Sequence, residues 1–193
     1  MRGFQLHKPY LIVVIGIPGS GKTEFATKFA DTFQSFPINI KELVDYGMNI
    51  GDATKFALKL FNSISRTEQT IVFEGITGNI AERQKLVQLA KSKGYEPVFV
   101  WLQLEPSLAR ERSAKKSADN PYPISDEYFN HLVKQFVPPE RKEKAKIVVI
   151  SGVHTYASQA KTVLHHLTNE RPDSQRSKAK IVEKRTIKPP ART

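Results

Sequence analysis

Eight consecutive residues, Gly16-Ile17-Pro18-Gly19-Ser20-Gly21-Lys22-Thr23, follow the spacing G-x-x-x-x-G-K-[ST]. Each part of that pattern suits phosphate binding. Glycines let backbone amides close around phosphate oxygens where side chains would obstruct them. The start of a following helix, with Glu24 in its first turn, adds unsatisfied N–H donors and the positive end of a dipole. Lys22 is suited to neutralise β- and γ-phosphate charge, and the Thr23 hydroxyl to hold Mg²⁺. The residues expected to contact ATP are therefore Gly16, Pro18, Gly19, Ser20, Gly21, Lys22, Thr23 and Glu24. A glycine-rich turn beside an unrelated lysine would give the same letters, and context separates the two. An apolar run at 11–15 (LIVVI) precedes the loop, and Phe25, Ala26, Phe29, Ala30 and Phe33 follow it at helical spacing. Strand, loop and amphipathic helix in that order are what a phosphate loop requires.

A carboxylate and a set of cations complete the candidate chemistry. Glu74 closes the apolar run TIVF at 70–73, so it should project from the carboxyl edge of a sheet, where such sheets hold ligands. There it can join Thr23 around Mg²⁺; a solvated glutamate at a strand end is the plainer alternative. Arg110, Arg112, Lys115 and Lys116 crowd one helical segment, and Arg112 and Lys116 are four residues apart, which puts them on one helix face. Beside a phosphate loop they read as a lid that brings cations to a transferring phosphoryl group; alone they would read as a solvated basic face.

These residues need elements to position them. Strands are expected at 11–15, 36–40, 70–73, 97–104 and 146–150, and helices after the loop and at 58–64, 79–93, 107–116, 126–136 and 156–167. Ser125 is expected as an N-cap and Pro106 in a first helical turn. The segment 117–125 (SADNPYPIS) reads as a loop. Strands alternating with helices predict an α/β fold, a mostly parallel five-stranded sheet between two helical layers. Residues 1–169 form the expected domain, with a lid at about 106–140, and 170–193 form a basic tail without periodicity.

Composition excludes some chemistry and permits some partners. The chain of 193 residues has no cysteine, so it forms neither disulfides nor a thiolate zinc site. Its five histidines show no metal-ligand spacing. No apolar stretch approaches the roughly 20 residues of a membrane span, and a cytoplasmic location is expected. The net charge is +11, and the tail alone carries eight Lys/Arg against three Asp/Glu. That excess permits RNA or DNA as a partner of the tail.

The order of motifs resembles the polynucleotide kinase-like group of small P-loop kinases, the AAA-type kinases that include relatives of zeta toxins. The resemblance runs from about 10 to about 167. It rests on Gly16–Thr23, on Glu74 with Thr77 and Asn79, on Glu82-Arg83, on the segment 112–116 and on Phe136-Val137-Pro138-Pro139. It departs at Glu74, where many relatives carry Asp, at Lys116, where a second arginine is usual, and after the second strand, where no D-x-x-R pattern is legible. The resemblance implies a carboxylate after that strand that deprotonates an acceptor hydroxyl, with Asp45 the candidate and Glu42 the alternative. It also implies an adenine pocket near Ser151-Gly152-Val153-His154. The catalytic set so read is Lys22, Asp45, Arg112 and Lys116, and the metal set Thr23 and Glu74. The expected activity is transfer of the γ-phosphate of ATP to a hydroxyl acceptor: a polynucleotide 5′-hydroxyl, a nucleoside or another small molecule. Two competing expectations are an ATPase and a nucleotide-gated nucleic-acid-binding module without kinase chemistry.

Overall fold

The computed structural model describes residues 6, 8–75, 77–115 and 123–168. The first apolar run forms β1 (Tyr10–Ile15), buried along its whole length. Alternate side chains enter different cores, as the two-residue period of a strand requires. Tyr10, Ile12 and Val14 pack with Phe25, Phe29 and Phe33, whereas Leu11, Val13 and Ile15 pack with Phe61, Leu86 and Phe99. A strand that is apolar on both faces belongs in the middle of a covered sheet. β1 pairs on one side with β3 (Ile71–Glu74) and on the other with β4 (Glu96–Gln103). Outside these lie β2 (Ile38–Asn39) and β5 (Lys146–Ser151), giving the order β2-β3-β1-β4-β5. Every pairing is parallel, so the expected five-stranded α/β sheet is present.

Helices cover both faces. On one, α1 (Lys22–Thr32) and α7 (Tyr156–Thr168) bury Phe25, Phe29 and Val163 against even-numbered β1 residues. On the other, α3 (Ile50–Ile64) and α4 (Ile80–Ser92) contribute Ala57, Phe61, Leu86 and Val87. The Asn79 side chain caps α4 by accepting from the Glu82 amide at 2.9 Å, an interaction worth about 1 kcal/mol. A smaller cluster joins Ile17 of the glycine loop to Ala109 of α5 (Pro106–Ala114) and Phe129 of α6 (Asp126–Gln135). Pro106 opens α5 and Ser125 caps α6, as expected.

Three elements differ from expectation. β2 is two residues long, because at the sheet edge it pairs only with β3. The helix expected at 58–64 is the end of the 15-residue α3, whose start is capped by Asn49, and the short α2 (Ile40–Asp45) precedes it. Finally α5 ends at Ala114, with Lys115 extended, because the Ser113 carbonyl accepts from the Ile124 amide at 3.1 Å. The helix needed to place Arg112 and Lys116 on a common face therefore stops short of Lys116. Lys116, most of the expected loop at 117–125 and the tail at 170–193 lie outside the described residues. Among the described residues, no helix is long and apolar enough to cross a membrane.

Candidate functional site

The carboxyl edge of the sheet carries the candidate residues because each follows a strand end. β1 delivers the glycine loop, and β3 delivers Glu74, whose Cα pairs with Val14 on one side and Asn39 on the other. The loop is held shut from two directions. Gly19, at φ +76°, lies so close to α5 that a Cβ there would sit 2.0 Å from the Ala109 carbonyl oxygen. After β5, a Cβ on Gly152 would sit 2.6 Å from the Ser20 carbonyl oxygen. Side chains at these two positions would push the loop open.

Gly19→Ala is accordingly expected to weaken ATP-analogue binding at least about tenfold, since displaced amides lose charge-assisted hydrogen bonds. Gly47→Ala is the control. That glycine also has positive φ, +98°, but a Cβ there meets nothing within 4 Å. It should cost about 1 kcal/mol of stability from backbone strain and leave the affinity unchanged. Equal affinity losses in the two variants, measured by fluorescence titration, would contradict the role given to the Ala109 contact.

Inside the loop, Lys22 Nζ donates to the Ile17 carbonyl at 2.9 Å, and Thr23 Oγ1 donates to Glu74 Oε1 at 2.9 Å. Glu74 is 3% exposed, and its Oε2 has no hydrogen-bond partner. Burial pushes the Glu74 carboxyl above the usual carboxylate range, against the charge of Lys22 and the Thr23 hydrogen bond, which pull it down. Burial lowers the Lys22 ammonium, against the attraction of Glu74. A buried carboxylate oxygen with nothing to bind is costly, and it marks where a cation or its water would be accommodated. The hydroxyl and carboxylate are hard oxygen donors of the type Mg²⁺ takes, so these residues fit that ion. The buried Ser20 Oγ likewise lacks a protein partner.

On the β5 side of the loop lies a small open cleft lined by Gly21, Glu24, Arg112, Gly152, His154 and Tyr156 among others. The Arg112 guanidinium donates to the Gly152 carbonyl at 2.9 Å, and Glu24 pairs with Lys28 at 2.6 Å. Gly16, Gly19, Ser20, Gly21, Lys22, Thr23 and Glu74 are thus brought together, with Pro18 in the turn between them. Arg112 joins the Gly152–His154 segment and lines the same cleft as Gly21 and Glu24.

On the opposite, β2 side stand the carboxylates of α2. Asp45 Oδ2 accepts from Lys41 Nζ at 2.6 Å. The charges of Lys41 and Glu42 both act on Glu74. Asp45 is therefore joined to the centre through Lys41, a residue the sequence reading passed over. Its signal was its place just after the second strand, hidden because that strand is so short. A second missed residue is Glu143, the buried partner of Arg83. The Glu82-Arg83 motif is structural at Arg83, whose guanidinium binds Glu143 and the carbonyls of Thr77, Val137 and Pro138. Among the described residues, no three His, Cys, Asp or Glu side chains converge as a metal cluster.

Comparison with known proteins agrees with this architecture. The AAA domain family matches residues 11–139. A gluconokinase from Sinorhizobium meliloti 1021 is similar in structure, with TM-score 0.54, 18% identity, and coverage of 91% of this chain and 97% of that one. The PezAT toxin-antitoxin structure from Streptococcus pneumoniae gives TM-score 0.55 at 21% identity, covering 95% of this chain and 88% of that one. Kti12 from Chaetomium thermophilum, solved with ADP-AlF3, gives 0.59 at 14% identity, covering 82% of this chain and all of that one. At these identities the likeness establishes a P-loop kinase-like fold. No curated protein sequence matches the chain.

Proposed function

The chain belongs to the AAA domain family, and on that premise we propose that it is an ATP- and Mg²⁺-dependent phosphotransferase acting on a hydroxyl acceptor. The observation that carries the reading is the part-buried Thr23–Glu74 hydrogen bond beside Lys22, with the buried Glu74 Oε2 left without a partner. A glycine turn with no ligand would have no use for a buried carboxylate held in that state. The Kti12 neighbour bound ADP-AlF3, which supports a nucleotide in the same kind of loop.

In this reading the amides of 16–23 and Lys22 grip the β- and γ-phosphates, and Thr23 and Glu74 hold Mg²⁺, which supplies positive charge to the transferring group. The bond from γ-phosphorus to the bridging oxygen breaks, a bond to the acceptor oxygen forms, and ADP leaves. The acceptor proton passes to a carboxylate of α2. Glu42, whose charge acts on Glu74, is the better placed; Asp45 is engaged by Lys41. Arg112 holds the base-and-ribose end of the nucleotide with His154, and Lys116 is proposed to bring its charge to the transferring phosphoryl group. The basic tail at 170–193 is proposed as a contact for RNA or DNA.

The test is incubation of the full chain with γ-labelled ATP, Mg²⁺ and a panel of polynucleotide 5′-hydroxyls, nucleosides and sugar acids. Label on an acceptor is the expected result. Release of free phosphate alone would make the protein an ATPase, and bound but unconsumed ATP would make it a nucleotide-gated binding module.

A further inference from the structure

The two edges of the sheet are finished differently. At one, β2 has two residues and follows Pro37, a short edge of the kind that resists pairing with another strand. At the other, β5 has six, and every residue from Ile147 to Ile150 is β-branched, with neither a charge nor a proline among them. β5 pairs with β4 on its inner side, and among the described residues no strand pairs with its outer side. A long apolar edge is a template for further pairing, and folded proteins cover or blunt it. The two faces of β5 are unequal as well. Val148 and Ile150 are buried with Val163 and Leu167 of α7, whereas Val149 on the other face is 47% exposed. Beside it on that face, Ile147 and its β4 neighbour Trp101 are only partly buried.

The chain beyond α7 carries a segment matched to this edge. Lys178-Ala179-Lys180-Ile181-Val182 repeats Lys144-Ala145-Lys146-Ile147-Val148, the residues that lead into β5. In β5 that sequence puts Ala145 and Ile147 with Trp101 and Phe136, and strand alternation turns Lys146 the other way. The copy has the same alternation, with Ala179 and Ile181 in step and Lys178 and Lys180 between them.

The copy is also within reach. α7 returns the chain to the start of β5, where Lys146 Nζ donates to the His166 carbonyl. A parallel strand beginning there would make α7 a crossover helix. α7 lies on the same face as α1, and α1 carries the chain from β1 in the opposite direction, toward β2. A parallel crossover through α7 would therefore have the left-handed sense that such units avoid. An antiparallel strand makes no such crossover, and antiparallel edges on otherwise parallel sheets are common. It must begin at the Ser151 end. Residues 169–177 can reach about 30 Å when extended, and β5 is about 20 Å long.

We propose that residues 178–187 of the tail add to the outer edge of β5 as an antiparallel sixth strand, with Ala179 and Ile181 on the Val149 side of the sheet. β5 leads into the Gly152 turn that backs the phosphate loop, so the tail steadies that side of the site from outside. Seating 178–187 leaves Arg171, Arg176, Lys188 and Arg192 outside the strand, where they can still meet RNA or DNA.

The experiment uses disulfide trapping in the full chain. Val149→Cys is combined with Ala179→Cys, Lys180→Cys, Ile181→Cys or Val182→Cys, and each double variant is oxidised at low protein concentration. The chain has no cysteine of its own, so each variant can close one bridge within a molecule. Facing residues of antiparallel strands stand about 4.5–5.5 Å apart at Cα, within disulfide range. Ala179→Cys or Ile181→Cys should close at least about tenfold faster than Lys180→Cys and Val182→Cys, and the product should be monomeric. Equal rates at all four positions, or faster closure at 180 or 182, would overturn the inference. A disulfide-linked dimer would overturn it too, and would give the edge to a second copy of the chain. A second measurement alters the tail alone. Residues along an edge strand bond to the ladder alternately, so one of Ile181→Pro and Val182→Pro removes a ladder donor. In that variant the outward amides of β5 should exchange hydrogen about tenfold or more faster, while Ser174→Pro, before the strand, should leave them unchanged. Exchange unaltered by both Ile181→Pro and Val182→Pro would show that the tail does not sit on β5.

Discussion

Glu74→Gln is expected to cut ATP-dependent phosphate transfer by about 100- to 1,000-fold, the usual cost of removing one preorganised electrostatic contact to a developing transition state. The same substitution should stabilise the protein without nucleotide at neutral pH. Burial raises the Glu74 carboxyl above its ordinary value, and the charges of Lys22 and Lys41 and the Thr23 hydrogen bond only partly offset it. The folded state thus favours the protonated form. The stabilisation from this group is present below the ordinary carboxylate pKa and is lost as pH rises through the elevated folded value. Glutamine removes that dependence while still accepting from Thr23 through its carbonyl oxygen. Urea midpoints measured across acid to neutral pH should converge for the two proteins at low pH and separate in favour of the variant near neutrality. Lys22→Ala is the companion substitution. It removes the cation that counters Glu74's burial, so it should abolish transfer as fully as Glu74→Gln while lowering stability at neutral pH. Transfer within tenfold of the unmodified protein for either variant, or a less stable Glu74→Gln protein, would be inconsistent with the site described.

The largest effect on folding should come from Arg83→Met, a loss of about 3–5 kcal/mol, because it leaves Glu143 charged, buried and without its partner. Both side chains of this pair are fully buried. All five N–H donors of the guanidinium are used. Nε and one Nη2 hydrogen bind the two Glu143 oxygens at 2.7 and 2.8 Å. Nη1 donates to Thr77 and Val137 carbonyls at 2.8 Å each, and Nη2 also reaches the Pro138 carbonyl at 3.3 Å. Lysine has three donors on a single nitrogen and no planar fork, so Arg83→Lys should recover little. Arg83→Met combined with Glu143→Leu should recover part of the loss, since no lone charge remains buried. The functional consequence follows from what the guanidinium ties together. It joins the loop after Glu74 to the chain leaving α6, where the Val137 amide also donates to the Gly78 carbonyl at 2.9 Å. Urea denaturation of the three variants is the measurement. An Arg83→Met protein within 1 kcal/mol of the unmodified one would show that water reaches this centre, contrary to its full burial.

The phosphate loop was legible in the sequence because its chemistry is local. Eight adjacent residues carry the donors, the cation and the hydroxyl, and the flanking apolar patterns of β1 and α1 mark which edge of the sheet they occupy. Glu74 was legible for a related reason, since a strand that ends fixes where its last side chain stands. The start of α6 was legible through Ser125, whose cap is set within four residues.

What the sequence left open depends on distances between remote segments. The acidic partner of Arg83 stands 60 residues away, and nothing near either residue names the other. The Gly152 carbonyl that accepts from Arg112 comes from the turn after β5, 40 residues on, and no local pattern pairs the two. Lys41 was overlooked because an edge strand with one neighbour needs only two residues and leaves almost no pattern. Sequence alone determined that a phosphate loop would form, since hydrogen bonding and backbone freedom within one turn suffice for it. Which cations and carboxylates face that loop was decided by the order in which five strands pack side by side, a long-range outcome of burying both faces of β1.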